Sequence, residues 1–252
     1  MKISVVVITY NEERNIRRCL ESVKGIADEM VVVDSGSQDR TIEICKETGA
    51  RVIHQPFLGY VEQKNFALRQ AKNDWVLSLD ADEALTSALE QSILSVSDPK
   101  QADGYSMNRL TNYCGKWIRH GGWYPDRKIR FFNRHTGQWT GINGHDSYTP
   151  FRKTSVLHLK GDILHYSYPS LSHHLQKINE YSTMGAMAMY EDGKRSSILK
   201  ILIKPVARFF RHYILKAGFL DGLMGYTIAV NTAHASFLKY LRLYYLQKGR
   251  TI

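Results

Sequence analysis

Trp75-Val76-Leu77-Ser78-Leu79-Asp80-Ala81-Asp82-Glu83 is the stretch on which the fold turns. Its opening is almost wholly apolar, the composition of a strand buried on both faces, and it closes on three carboxylates. Such a strand delivers acidic side chains to its C-terminal edge, where open α/β sheets bind ligands. Asp80 and Asp82 are two apart and point the same way on an extended strand; a turn after Leu79 still lets them converge on one cation. Hard divalent ions take oxygen ligands, and Mg²⁺ in particular takes one or two carboxylates plus substrate phosphates. An acidic turn that caps the next helix would read the same way, so the motif needs company.

The preceding chain supplies it. Ile3 to Thr9 is a β-branched run that breaks at Tyr10-Asn11-Glu12-Glu13. Ile16, Cys19, Leu20 and Val23 follow at helical spacing, with Arg14, Arg17, Arg18 and Glu21 on the other side. Met30 to Val33 is a second strand that runs into Asp34-Ser35-Gly36-Ser37-Gln38-Asp39. There Gly36 permits a tight turn, and Ser37 is the expected N-cap of a helix through Cys45. Arg51 to His54 reads as a third strand and Val61 to Ala71 as a third helix. Strands that alternate with helices in this way predict βαβ units and a parallel sheet.

Three of the four strands end in polar or acidic residues: Thr9 to Glu12, Asp34 to Asp39, and Asp80 to Glu83. A nucleoside diphosphate held with a cation needs such an edge. No G-x-G-x-x-G follows the first strand and no G-x-x-x-x-G-K-[ST] occurs, which argues against a dinucleotide-binding dehydrogenase and a P-loop. Without a glycine-rich cradle, a cation must do much of the neutralising of phosphate.

These segments resemble the signature set of family-2 inverting glycosyltransferases, which carry the GT-A nucleotide-sugar-binding fold. The resemblance rests on Val5 to Glu12, Val33 to Asp39 and Leu79 to Glu83. Gly121 to Phe132 and Gly218-Phe219-Leu220-Asp221-Gly222 resemble the branch that adds β-1,4-glucose to the heptose of the lipopolysaccharide inner core. What this implies is an α/β GT-A domain, a mostly parallel sheet flanked by helices, using Mg²⁺ or Mn²⁺ and a UDP-sugar. Thr9, Tyr10 and Glu12 would line the base and ribose pocket, and Asp34 would accept from the uracil imide. Asp80 would face ribose and metal, and Asp82 would be the principal metal ligand of the Asp-x-Asp motif. Lys64 and Asn65 stand where many members have Arg-Asn near the donor; a solvated helix face is the alternative for Lys64. Arg130 is the expected phosphate or acceptor contact, and His165 a further metal ligand or a core histidine.

An inverting transfer also needs a base for the acceptor hydroxyl. Asp146, in Gly144-His145-Asp146, is the candidate, one methylene shorter than the glutamate of the branch pattern; Asp126 and Glu83 are rivals. Trp117, Trp123 and Trp139 offer faces for sugar stacking or for core packing.

Charge is uneven along the 252 residues. Lys194 to Ile252 hold eleven Lys or Arg and one acid, Asp221, and so carry the whole formal +10, while the rest balances. Lys200, Lys204, Arg208 and Arg211 share one helical face; Leu199, Leu202, Val206, Phe209 and Tyr213 share another, with Pro205 expected to kink or restart the helix. A second apolar segment, Tyr226 to Leu246, also falls short of an uninterrupted membrane span. The expected organisation is a catalytic domain over 1–193, with a donor half to about residue 100 and an acceptor half after it. A basic, amphipathic helical extension over 194–252 would then bind an anionic membrane surface.

The N-terminus lacks the pattern of a secretory signal, and Cys19, Cys45 and Cys114 show no C-x-x-C spacing, as suits reduced thiols. The expected location is therefore the cytoplasmic face of a bacterial inner membrane, as a peripheral protein. The expected activity is transfer of a hexose, glucose from UDP-glucose, to a lipopolysaccharide core sugar. Polyprenyl phosphate or another envelope glycan is the rival acceptor. A nucleic-acid-binding protein would use the +10 but leave the acidic strand ends idle. A sugar nucleotidyltransferase would need a glycine-rich N-terminal loop, which is missing.

Overall fold

The computed structural model describes residues 1–96, 101–141, 146–153 and 155–252. Gly144 and His145, which precede Asp146 in the expected base motif, lie outside the described residues. The chain divides into two compact units, one of residues 1–109 and 126–166 and the other of 110–125 and 167–252.

In the first unit, β1 (Ile3–Thr9) lies between β2 (Glu29–Asp34) and β4 (Trp75–Asp80), all parallel, with β3 (Arg51–His54) beyond β2. The helices between them are α1 (Ile16–Glu21), α2 (Thr41–Glu47) and α3 (Tyr60–Gln70). Val5 and Val7 of β1 pack in one core with Ile16 and Leu20 of α1 and Cys45 of α2. Val6 faces the other core with Ala67 and Leu68 of α3. Burial on both faces is why the strand is an unbroken apolar run rather than an alternating one. Helix α2 starts at Thr41, later than expected, because the Ser37 hydroxyl is engaged by Asp34 while Asp39 accepts from the Thr41 amide.

After β4 come β5 (Glu83–Leu85) and α4 (Ser87–Leu94), then β6 (Gly104–Tyr113), β7 (Lys116–Ile118), β8 (Asp126–Asn133), β9 (Gly137–Thr140), β10 (Ser147–Pro150) and β11 (Val156–Tyr168). The large sheet runs β3-β2-β1-β4-β8-β6-β11-β5, with β8 antiparallel to β4; β9 and β10 form a separate hairpin. Gly161 lets β11 pass close to α4: its φ is +100°, and a Cβ there would sit 2.4 Å from the Leu89 amide nitrogen. Thr86 and Asp162 clamp this crossing through a pair of backbone and hydroxyl hydrogen bonds.

The second unit holds α5 (Leu171–Glu191), α6 (Ile198–Phe210), a π-helical turn (Arg211–Leu215), a 3₁₀ turn (Gly218–Asp221) and α7 (Gly222–Leu246). Helix α7 packs on both α5 and α6. Its core is Tyr113, Ile118 and Ile228, with Trp123 and Tyr168 against them. Since α5 packs on α7, it groups with the helical unit, and the boundary expected at 193 falls after it. Pro205 does not restart the helix: α6 runs through it.

Candidate active site

Sheet register gathers the polar strand ends. Thr9 pairs with Asp34, and Ile8 with Asp80, so β1, β2 and β4 end level on one edge. The chain then turns at Ala81-Asp82 into β5, where Glu83 lies opposite His165 of β11.

Lys64 is the centre of the cluster. It projects from α3, is 3 % exposed, and its Nζ lies 2.9 Å from Asp80 Oδ1 and 2.8 Å from Asp146 Oδ2. The expected alternative of a solvated helix face is therefore wrong. Arg130, also buried, reaches from β8 to Asp80 Oδ2 at 2.9 Å and Glu83 Oε1 at 3.0 Å. Arg109 of β6 adds a second cation 3.5 Å from Glu83. Glu83 also accepts from the Asp80 amide at 3.0 Å, which fixes the turn. Burial pushes the Asp80 carboxyl up, but the Lys64 and Arg130 charges outweigh it and hold the group well below the usual carboxylate range.

These contacts bear on several expected roles. Asp80 faces the two cations Lys64 and Arg130, whereas Asp82 and His165 face each other and could together hold a metal. Asp82 Oδ2 and His165 Nε2 lie 3.3 Å apart. Burial raises the Asp82 carboxyl, yet the facing imidazole brings it below its ordinary value. His165 Nδ1 is buried with no hydrogen-bond partner among the described residues. Among the described residues no group of three or more His, Cys, Asp or Glu is arranged around one point. A carboxylate and an imidazole nevertheless fit a divalent ion whose remaining ligands are substrate phosphates.

Asp34 is 1 % exposed and binds its own loop, accepting from the Gly36 and Ser37 amides at 2.8 and 3.0 Å. Thr9 is buried, with its hydroxyl lacking a partner among the described residues, while Tyr10 is exposed. The Glu12 carboxylate accepts from the Asn15 side chain. Asn65 holds a backbone rather than a ligand: its amide donates to Trp139 O and accepts from Trp139 N, both at 2.9 Å. Trp139 is thus fixed as a buried floor, with Lys64 Nζ 4.7 Å and the Arg130 guanidinium 5.3 Å from its ring centre. That excludes its face from sugar stacking. Trp123 packs against Tyr113 and Tyr168 in the second unit.

The rival bases are occupied. Asp126 is ion-paired with Arg109 and Lys128, and Glu83 is buried beneath two arginines. Among the described residues Asp146 is ion-paired with Lys64, and it lies on the same cluster as the strand-end carboxylates. Arg109 was missed by the sequence reading. It lies in an ordinary-looking strand, and only the pairing of β6 with β8, Arg109 opposite Asp126, brings it here.

Residues 4–159 match the family described as Glycosyl transferase family 2. The chain belongs to that family. This family-2 glycosyltransferase is 34 % identical to an uncharacterized glycosyltransferase of Rickettsia typhi, over 96 % of its own length and 86 % of the relative's. It is 30 % identical to the lipopolysaccharide core biosynthesis glycosyltransferase LpsC of Rhizobium meliloti, over 97 % of its length and 92 % of that chain. Among solved structures it is similar to the mannosyltransferase PcManGT of Pyrobaculum calidifontis, solved with GDP-Man and Mn²⁺. That likeness has a TM-score of 0.51 at 18 % identity, covering 93 % of this chain and 73 % of the other. The family-2 enzyme thus has the α/β GT-A fold, with a helical C-terminal region.

Proposed function

We propose that this glycosyltransferase moves glucose from UDP-glucose onto a core sugar of lipopolysaccharide with inversion at the anomeric carbon. The observation that carries the reaction type is the placing of Asp146 beside the strand-end carboxylates through Lys64. A base and a donor edge within one cluster suit a single in-line displacement. The acceptor hydroxyl attacks the anomeric carbon, the bond from that carbon to the diphosphate oxygen breaks, and the hydroxyl proton passes to Asp146.

Asp82 and His165 would hold Mg²⁺ or Mn²⁺, which when bound offsets the charge growing on the leaving diphosphate. Lys64 and Arg130 keep Asp80 ionised and its side chain fixed, so the edge is ordered before donor arrives. The acceptor class is supported by the end-to-end relation to LpsC.

The test is transfer of radiolabel from UDP-glucose, UDP-GlcNAc or GDP-mannose to core-truncated lipopolysaccharide or to polyprenyl phosphate. Label from UDP-glucose in the lipopolysaccharide, β-configured, supports the reading. Label only in polyprenyl phosphate would move the acceptor, and label only from another donor would move the sugar.

A further inference from the structure

We infer that the α6 region is an interfacial docking surface for a bilayer rich in anionic lipid, lying in the membrane plane without crossing it. Helix α6 packs on α7 and buries Ile201, yet leaves an apolar stripe uncovered. Leu199, Leu202, Val206 and Phe210 are 66, 62, 56 and 55 % exposed, at spacings of three, four and four. That period places them on one side of a helix. Beyond the helix, Leu215 is 80 % and Leu223 72 % exposed. Single exposed leucines are ordinary in soluble proteins, but a continuous row is a contact surface.

Charge identifies the occupant. Lys200, Lys204 and Arg208 are exposed and recur along a separate face of the same helix, and Arg211, at the start of the π-helical turn, is exposed too. Asp221, the one acidic residue after Asp192, is buried and accepts from the Arg119 and His120 amides. No described carboxylate side chain from 194 to 252 therefore faces solvent. An apolar stripe with only positive charge beside it matches acyl chains beneath anionic headgroups, where long Lys and Arg stems reach the phosphates. A second copy of the chain would bring the same basic rows together, and like charges repel. Among the described residues no helix is long and apolar enough to cross a membrane.

The test is co-sedimentation of the full chain with phosphatidylcholine vesicles, with and without about one third phosphatidylglycerol, at low and high salt. The vesicles hold no sugar acceptor, so the outcome is independent of the proposed transfer reaction. Binding should require the anionic lipid and fall with salt. Leu202→Glu combined with Val206→Glu should weaken it about tenfold or more, and Lys200→Ala with Lys204→Ala about thirtyfold. Leu94→Glu, at an exposed leucine of the first unit, should leave it unchanged. Circular dichroism checks that each variant is folded, and the wild-type lipid and salt comparison stands without any variant. Wild type that stays in solution with both lipids would overturn the inference. So would undiminished binding by a folded Leu202→Glu, Val206→Glu chain, or a dimer abolished by those changes in a protein that ignores vesicles.

Discussion

Lys64 and Asp146, 82 positions apart in the chain, meet at 2.8 Å in a buried ion pair. The same ammonium reaches Asp80, so one side chain ties the end of a sheet strand to the residue we assign as base. Replacing Lys64 by Met would take from Asp146 its ion pair and leave Asp80 with Arg130 alone, in a site with little access to water. Breaking a buried pair typically costs about 3–5 kcal/mol. Denaturant unfolding of Lys64→Met should show a loss of that order; a loss under about 1 kcal/mol would mean the ammonium contributes no net pairing.

Asp146→Asn keeps the size of the side chain and removes its ability to take a proton. Transfer should fall about 10²–10⁴-fold, the usual contribution of a general base, while UDP still stabilises the fold. Unimpaired transfer would pass the role to Asp126 or Glu83, each of which is already held by arginine.

Metal dependence should be readable without turnover. At about 100 times its dissociation constant, a ligand adds roughly 2.7 kcal/mol to stability. UDP with Mn²⁺ should therefore raise the melting temperature more than UDP with a chelator. Asp82→Asn and His165→Ala should each remove the difference. A shift that survives both substitutions would place the cation elsewhere.

The second unit should weaken in mild acid. Tyr113 Oη lies 2.8 Å and Asn231 Nδ2 3.1 Å from His174 Nδ1. An amide nitrogen only donates, so Nδ1 must accept and the ring is neutral. Burial, then the charge of His173, depresses the His174 pKa to about 4 from its ordinary 6.5. Between those values the unfolded chain binds the proton and the folded one does not. Stability is complete above about pH 6.5 and falls as pH drops toward 4, by up to about 3 kcal/mol. His174→Gln, scanned by thermal unfolding across that range, should flatten the slope.

The strands were legible because burial on both faces writes itself into composition: Val5, Val6 and Val7 serve two cores and leave no room for polar letters. The edge was legible because its carboxylates follow those strands directly. What each carboxylate touches was not. Asp80 was read as a metal and ribose residue, yet its partners Lys64 and Arg130 come from α3 and β8, and only tertiary pairing brings them there. Nor did local pattern show that Asn65 would grip Trp139, a contact spanning 74 positions. In the tail, helical spacing marked an apolar face but not that Phe209 and Tyr213 would turn toward Tyr226 while Leu199, Leu202 and Val206 stayed outside.

Asp221 closes a loop in time as well as in space. Its carboxylate receives the Arg119 and His120 amides, which precede it by 102 and 101 residues, and its carbonyl receives Lys116 Nζ at 2.6 Å. A ribosome adding about 5–20 residues each second needs on the order of 5–20 s to cover that interval. Throughout it, two emerged amides await their acceptor. The segment from 110 to 125 is therefore synthesised early and secured late, so a pause or a truncation before Asp221 would leave it the least finished part of the nascent chain.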